Sequence, residues 1–240
     1  MTNTESRQFR DKRWYGRRHG RKLRQGRQAL IDNLLPSLRV PLPIVRKATV
    51  DLPGLFKKTP KAIWMEIGFG SGEHLAALAA KNPRVGFIGC EPFINGVASL
   101  LTIINEKKIE NIRIFDDDVR LLIPYLREAC LERIFVLFAD PWPKHRHRNR
   151  RITVEENLTE FARLLTDDGQ ILFATDQHGF AAWSLANILR ERRLVWTARR
   201  AKDWHEEPDN WTPTRYQLKT RKEGRKPVFI NVQRRPRISQ

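Results

Sequence analysis

The sequence predicts an α/β fold of Rossmann type, a mostly parallel sheet with an antiparallel edge, on three observations. Apolar strand-like runs alternate with helix-like ones five times from Ala62 onward. The first strand-to-helix turn is rich in glycine, and acidic residues stand where successive strands end.

Residues 1–28 carry ten Lys/Arg against Glu5 and Asp11 and almost no aliphatic side chains, so they read as a basic, flexible extension. Leu30, Leu34, Leu35 and Leu38 then recur at helical spacing, and prolines at 36, 41, 43, 53 and 60 mark an irregular lead-in through residue 60. The main domain is expected over 61–240. Its βα units are predicted as strand 62–67 with helix 73–81, strand 85–91 with helix 94–107, and strand 112–115 with helix 119–130. Strand 134–139 with helix 153–165 and strand 169–175 with helix 178–192 complete the five. Runs 194–198 and 227–232 supply two more strands, which suit the antiparallel edge.

Composition narrows the function. The 240 residues include 45 Lys+Arg and 27 Asp+Glu, a net charge of +18 that suits a polyanionic partner better than a small neutral metabolite. No stretch reaches the roughly 18 apolar residues of a membrane span, so a cytoplasmic protein with no membrane partner is expected. Cys90 and Cys130 read as buried free thiols; two cysteines alone make no zinc site, and no metal is expected.

Glu66-Ile67-Gly68-Phe69-Gly70-Ser71-Gly72 occupies the first strand-to-helix turn, where glycines let backbone approach a ligand. A carboxylate there would repel a pyrophosphate but welcome the ammonium and sulfonium groups of S-adenosylmethionine. Glu91, ending the second strand, is placed to accept from ribose hydroxyls. Of Asp116, Asp117 and Asp118 after the third strand, Asp118 fits the adenine amine best by spacing. His74, one turn into the first helix, reads as structural, and Trp204 and Trp211 flank an acidic loop read as packing.

The fourth strand leads into Asp140-Pro141-Trp142-Pro143-Lys144 and an arginine-rich run ending at Arg150-Arg151. Two prolines stiffen that loop, and five Lys/Arg follow Trp142 without an acid. Together with Arg17–Arg21, Glu66–Gly72, Glu91, Asp118, Ala174-Thr175-Asp176 and Thr214–Gln217, this run resembles the tRNA (guanine-N7)-methyltransferase family across most of the chain. The resemblance implies a class I S-adenosylmethionine-dependent methyltransferase fold and methylation of a guanine in the tRNA variable loop, usually written G46. It implies that Glu66, Gly68, Gly70, Glu91, Asp118 and Asp140 serve the cofactor and that Asp140 also serves catalysis. Lys144, Asp176, Thr214, Arg215, Tyr216 and Gln217 would hold the tRNA. The chain has Gln217 where the family usually carries Glu, and an amide can still hydrogen-bond a base or nearby backbone.

The chemistry stands beside the resemblance. Guanine N7 has an in-plane lone pair and needs no general base, so alignment is the main task. Positive charge passes to the purine as the methyl moves, and a carboxylate such as Asp140 gains interaction in the transition state. Asp140 or Asp176 could instead accept from the guanine N1–H and N2 amine edge. The basic loop 144–151, the N-terminal extension, and Arg215, Lys219, Arg221, Lys222, Arg225 and Lys226 would contact phosphates. The rivals are a nicotinamide-dependent dehydrogenase, which lacks a spaced phosphate fingerprint here, and a non-catalytic RNA-binding protein of the same fold. A monomer is preferred.

Overall fold

The computed structural model describes residues 17–45, 48–209 and 211–237. Seven strands form one sheet in the order β3-β2-β1-β4-β5-β7-β6. They are β1 (Ala62–Ile67), β2 (Val85–Cys90), β3 (Ile112–Phe115), β4 (Leu131–Leu137), β5 (Leu165–Thr175), β6 (Leu194–Trp196) and β7 (Val228–Arg234). The first five pair in parallel, and β7 runs antiparallel between β5 and β6. That is the mostly parallel sheet with an antiparallel edge read from the sequence.

Side-chain alternation divides the core between the two faces. Ile63, Met65 and Ile67 of β1 join Ile134, Val136, Ile171 and Phe173 on one face. Trp64 joins Phe87, Phe135, Leu137, Leu172 and Phe229 on the other. Glu66 shares the second face, so the strand's period of two carries a carboxylate into an apolar layer at 1% exposure. Burial pushes the Cys90 thiol up and the Cys130 thiol up to about 11, and both are unpaired cysteines.

Helices α1 (Gln25–Asn33) and α2 (Leu35–Leu38) replace the single predicted lead-in helix, with Pro36 at the start of the second. Helices α3 (Glu73–Lys81) and α4 (Ile94–Lys107) follow β1 and β2 as expected, and α1 lies along α4. The predicted helix 119–130 does not persist. It is cut to α5 (Val119–Leu122) and a 3-10 turn over Ile123–Tyr125, because Pro124 has no N–H to continue the ladder. Helices α6 (Glu155–Leu164) and α7 (His178–Ile188) cover the remaining parallel strands. The sequence reading missed α8 (Lys202–His205) and α9 (Arg215–Lys222).

The register positions the site. Ile67 pairs with Cys90 and Val136, Cys90 with Phe115, and Leu137 with Ala174, so the carboxyl ends of β1 to β5 lie along one edge. Gly68, Glu91, Asp116–Asp118, Phe138–Asp140 and Asp176 therefore converge from five separate parts of the chain.

Candidate active site

A cavity of about 410 Å³ opens along that edge, lined by Gly68, Glu91, Asp117, Asp118, Asp140 and Trp142 among others. Glu91 is buried, and its Oε2 accepts from the Gly70 N–H at 2.8 Å while Oε1 accepts from the Phe93 N–H at 2.9 Å. Burial pushes its carboxyl above the ordinary range; those two N–H groups pull it back, and the charges of Asp140 and Glu66 push it up again. Each oxygen retains a second lone pair for an incoming hydroxyl.

The three consecutive acids after β3 have separate fates. Asp116 is gripped by Arg39 through two bonds of 2.9 and 2.8 Å, and Asp117 by Arg18 at 2.9 Å. Asp118 caps α5 by accepting from the Arg120 N–H at 2.9 Å, its Oδ1 lies 3.2 Å from Arg120 Nε, and the residue lines the cavity. Asp117 lines the same wall, a position the sequence reading did not assign to the site.

Beyond β4 the backbone turns sharply. Phe138 and Trp142 have φ of 54° and 41°, left-handed conformations that bulky side chains rarely adopt, and they bracket Asp140. Asp140 is exposed on the cavity wall. Arg151 fixes the turn from outside, donating from Nε to the Pro141 carbonyl at 2.8 Å and from Nη2 to the Trp142 carbonyl at 3.1 Å. Its guanidinium sits 4.5 Å from the Trp183 ring centre. The sequence reading counted Arg151 only among phosphate contacts; its side-chain direction depends on α7, which the loop sequence does not contain. Lys144 is exposed and opens a 3-10 turn over His145–Arg150.

A second cavity of about 400 Å³ adjoins the first at Gly68 and Phe138. Glu66, Gly70, Thr214, Arg215, Tyr216 and Lys219 line it, and the Tyr216 ring packs on Phe138 at 5.5 Å between ring centres. Gln217 departs from this group. It is fully buried, accepts from the Trp211 indole N–H at 2.8 Å and donates to Glu207 Oε1 at 2.6 Å. Asp176 is buried at the end of β5 and ion-paired to Arg225, which also donates to the Tyr216 hydroxyl at 3.3 Å. Arg225 and Arg221, read from the sequence as phosphate contacts, instead engage Asp176 with Glu223 and Glu207 respectively.

Of the sequence-predicted site residues, Glu91, Asp118 and Asp140 thus share one wall, and Glu66 and Thr214–Tyr216 a neighbouring one. Gly68 joins the two. Gly68 and Gly70 have φ of 72° and 58°, and a side chain on either would meet open space among the described residues. Four carboxylates around such a region suit a cationic nucleoside ligand, and the residues present fit S-adenosylmethionine. Among the described residues, no group of three His, Cys, Asp or Glu is arranged to hold a metal.

Sheet order and acid-lined edge together define a class I S-adenosylmethionine-dependent methyltransferase. A family model described as "Putative methyltransferase" matches residues 60–230. A tRNA (guanine-N(7)-)-methyltransferase of Rhodospirillum rubrum is 46% identical over 230 residues, covering 95% of this chain and 90% of the relative. One from Agrobacterium fabrum is 41% identical, covering 92% of this chain and 95% of the relative. The crystal structure of the 16S rRNA methyltransferase KamB matches with a TM-score of 0.52 at 14% identity, over 74% of this chain and 89% of that one, which is a likeness of fold. The chain belongs to the tRNA (guanine-N(7)-)-methyltransferase family.

Proposed function

We propose that the chain methylates N7 of a guanine in tRNA, with the variable-loop guanine 46 as its target. Asp140 carries this reading: a carboxylate held between two left-handed residues on the wall of the acid-lined cavity, two residues after Phe138, which that cavity shares with the one lined by Thr214–Tyr216. When bound, S-adenosylmethionine supplies an electrophilic methyl on a sulfonium centre.

This chain's residues then have distinct tasks. Glu91 would accept from ribose hydroxyls with the lone pairs its backbone donors leave free, and Asp118 would accept from the adenine amine. Glu66 and the Gly68–Gly70 backbone receive the amino-acid end, where a buried carboxylate favours an ammonium. Asp140 stabilises the positive charge that the purine acquires as N7 is alkylated, an interaction worth more in the transition state than before it. Thr214, Arg215 and Tyr216 line the approach of the base, with Asp176 and Arg225 bracing Tyr216 from behind. Lys144, Arg146 and Arg148 hold phosphates and set register without reading sequence.

Incubation with tritium-labelled cofactor and unmodified tRNA, followed by borohydride-induced strand cleavage, tests both parts. Cleavage at guanine 46 is expected. Label without cleavage would move the reaction off N7, and cleavage elsewhere would move it off the variable loop.

A further inference from the structure

A chain of contacts runs from Glu66 away from the cavity to solvent. His74 Nδ1 lies 2.8 Å from Glu66 Oε2, and the His74 ring packs on the Trp211 indole at 4.8 Å between centres. The other aromatic neighbours, Phe135 and Phe229, fix those two rings in an apolar layer. Trp211 donates to Gln217, whose amide donates onward to Glu207, and Arg221 holds the same Glu207 oxygen. Gln217 is 0% exposed, so its amide has no water to fall back on.

An amide meets both demands at position 217 without depending on a proton. Its carbonyl accepts from the indole, and its NH₂ donates to a carboxylate. A glutamate could accept from Trp211 but would face Glu207 oxygen to oxygen, and two carboxylates at that separation cannot both stay ionised cheaply.

We propose that Gln217 is a positioning residue: with Trp211 and Glu207 it forms a clamp that holds the start of α9, and so Thr214–Tyr216, against the cofactor side of the sheet through His74. The claim about substrate rests on the proposed reading that Thr214–Tyr216 face the tRNA. The clamp also gives the acidic loop between α8 and α9 a role, since Glu207 and Trp211 both belong to it. Thr214 completes the joint by accepting from the Gln217 N–H at 3.1 Å.

The test is Gln217→Glu, alone and with Glu207→Gln. In the single variant Glu207 and the new carboxylate oppose each other. Arg221 faces them from α9, and His74 lies beyond Trp211 with Glu66 behind it. Arg221, His74 and Glu66 are common to all variants, so the difference isolates the pair. At pH 7.5 the single variant should show faster amide exchange over residues 211–222 and a KM for tRNA raised about tenfold, with cofactor affinity unchanged. Both effects should fade as pH is lowered, because a proton shared between two opposed carboxyls relieves their repulsion. The double variant restores the donor on the other side and should recover both at pH 7.5.

Exchange as slow as wild type in the single variant, or no recovery in the double, overturns the clamp. An exchange effect with an unchanged KM overturns its role in positioning substrate. Wild-type protein that leaves tRNA unmethylated would refute the proposed function instead, while the exchange measurements would still decide whether the clamp exists.

Discussion

Glu66 and His74 form a buried pair, Oε2 to Nδ1 at 2.8 Å, with each side chain 2% exposed. β1 supplies one member and the first turn of α3 the other, so the glycine loop between them is tied at both ends. With Glu66 ionised, Nδ1 carries the proton and donates. Replacing His74 with alanine leaves a buried carboxylate without its donor. We expect a loss of about 2–4 kcal/mol in urea unfolding, together with weaker cofactor binding by calorimetry. Unchanged stability would mean that the pair is not formed in solution.

Asp140 stands exposed on the wall of the first cavity, so its removal should spare the fold. For Asp140→Ala we expect a single-turnover rate lower by about two to three orders of magnitude, the cost of losing one transition-state stabiliser. Cofactor affinity should fall far less. Equal losses in rate and affinity would make Asp140 a binding residue alone.

Glu91 predicts a pH dependence with a definite sign. Burial, the largest cause, raises its carboxyl above the ordinary value of 4.5. A group raised on folding contributes stability that is fully present below its unfolded value and is lost as pH rises through the folded one. The stability of wild type relative to Glu91→Gln should therefore decline from about pH 4 upward. Cofactor affinity of wild type should strengthen over the same window, because the ionised form is the better acceptor. A pH-independent difference between the two proteins would remove Glu91 from this role.

The Arg151 guanidinium grips the carbonyls of Pro141 and Trp142 and so fixes the turn carrying Asp140. Arg151→Lys keeps the charge and loses the two-point grip and the guanidinium contact with the Trp183 ring. A fall in kcat of about tenfold or more is expected, since small misplacements are costly in aligned reactions. The KM for cofactor should hold. A variant that altered only the KM for tRNA would return Arg151 to the phosphate contacts.

How much of this was legible in the sequence depends on where the information lies. The acids Glu91, Asp118 and Asp140 were readable because each ends a strand, and a parallel sheet brings strand ends together whatever fills its core. The three acids at 116–118 are separable only in space: Arg39 and Arg18 arrive from far upstream to hold Asp116 and Asp117, while Asp118 pairs locally with Arg120. Gln217 shows the opposite limit. Thr214-Arg-Tyr-Gln217 fits the pattern of a helix capping box, and Thr214 does cap α9, but the sequence reading took the segment as substrate-facing and missed the helix. Pro124 was visible as a helix breaker and should have shortened the predicted helix 119–130. The burial of Gln217 by Trp211 and Glu207 required tertiary contacts that no local pattern encodes.

Charge on the loop after Trp142 sets how steeply tRNA affinity depends on salt. Lys144, Arg146 and Arg148 are exposed, and none has a carboxylate partner recorded among the described residues. If each neutralises one tRNA phosphate, each binding event releases the corresponding counterions, and affinity falls with salt in proportion to their number. Replacing all three with alanine should flatten the slope of log affinity against log salt by about two to three. Weaker binding with an unaltered slope would show that the loop acts through shape or stacking, with Trp142 rather than the cations as the contact.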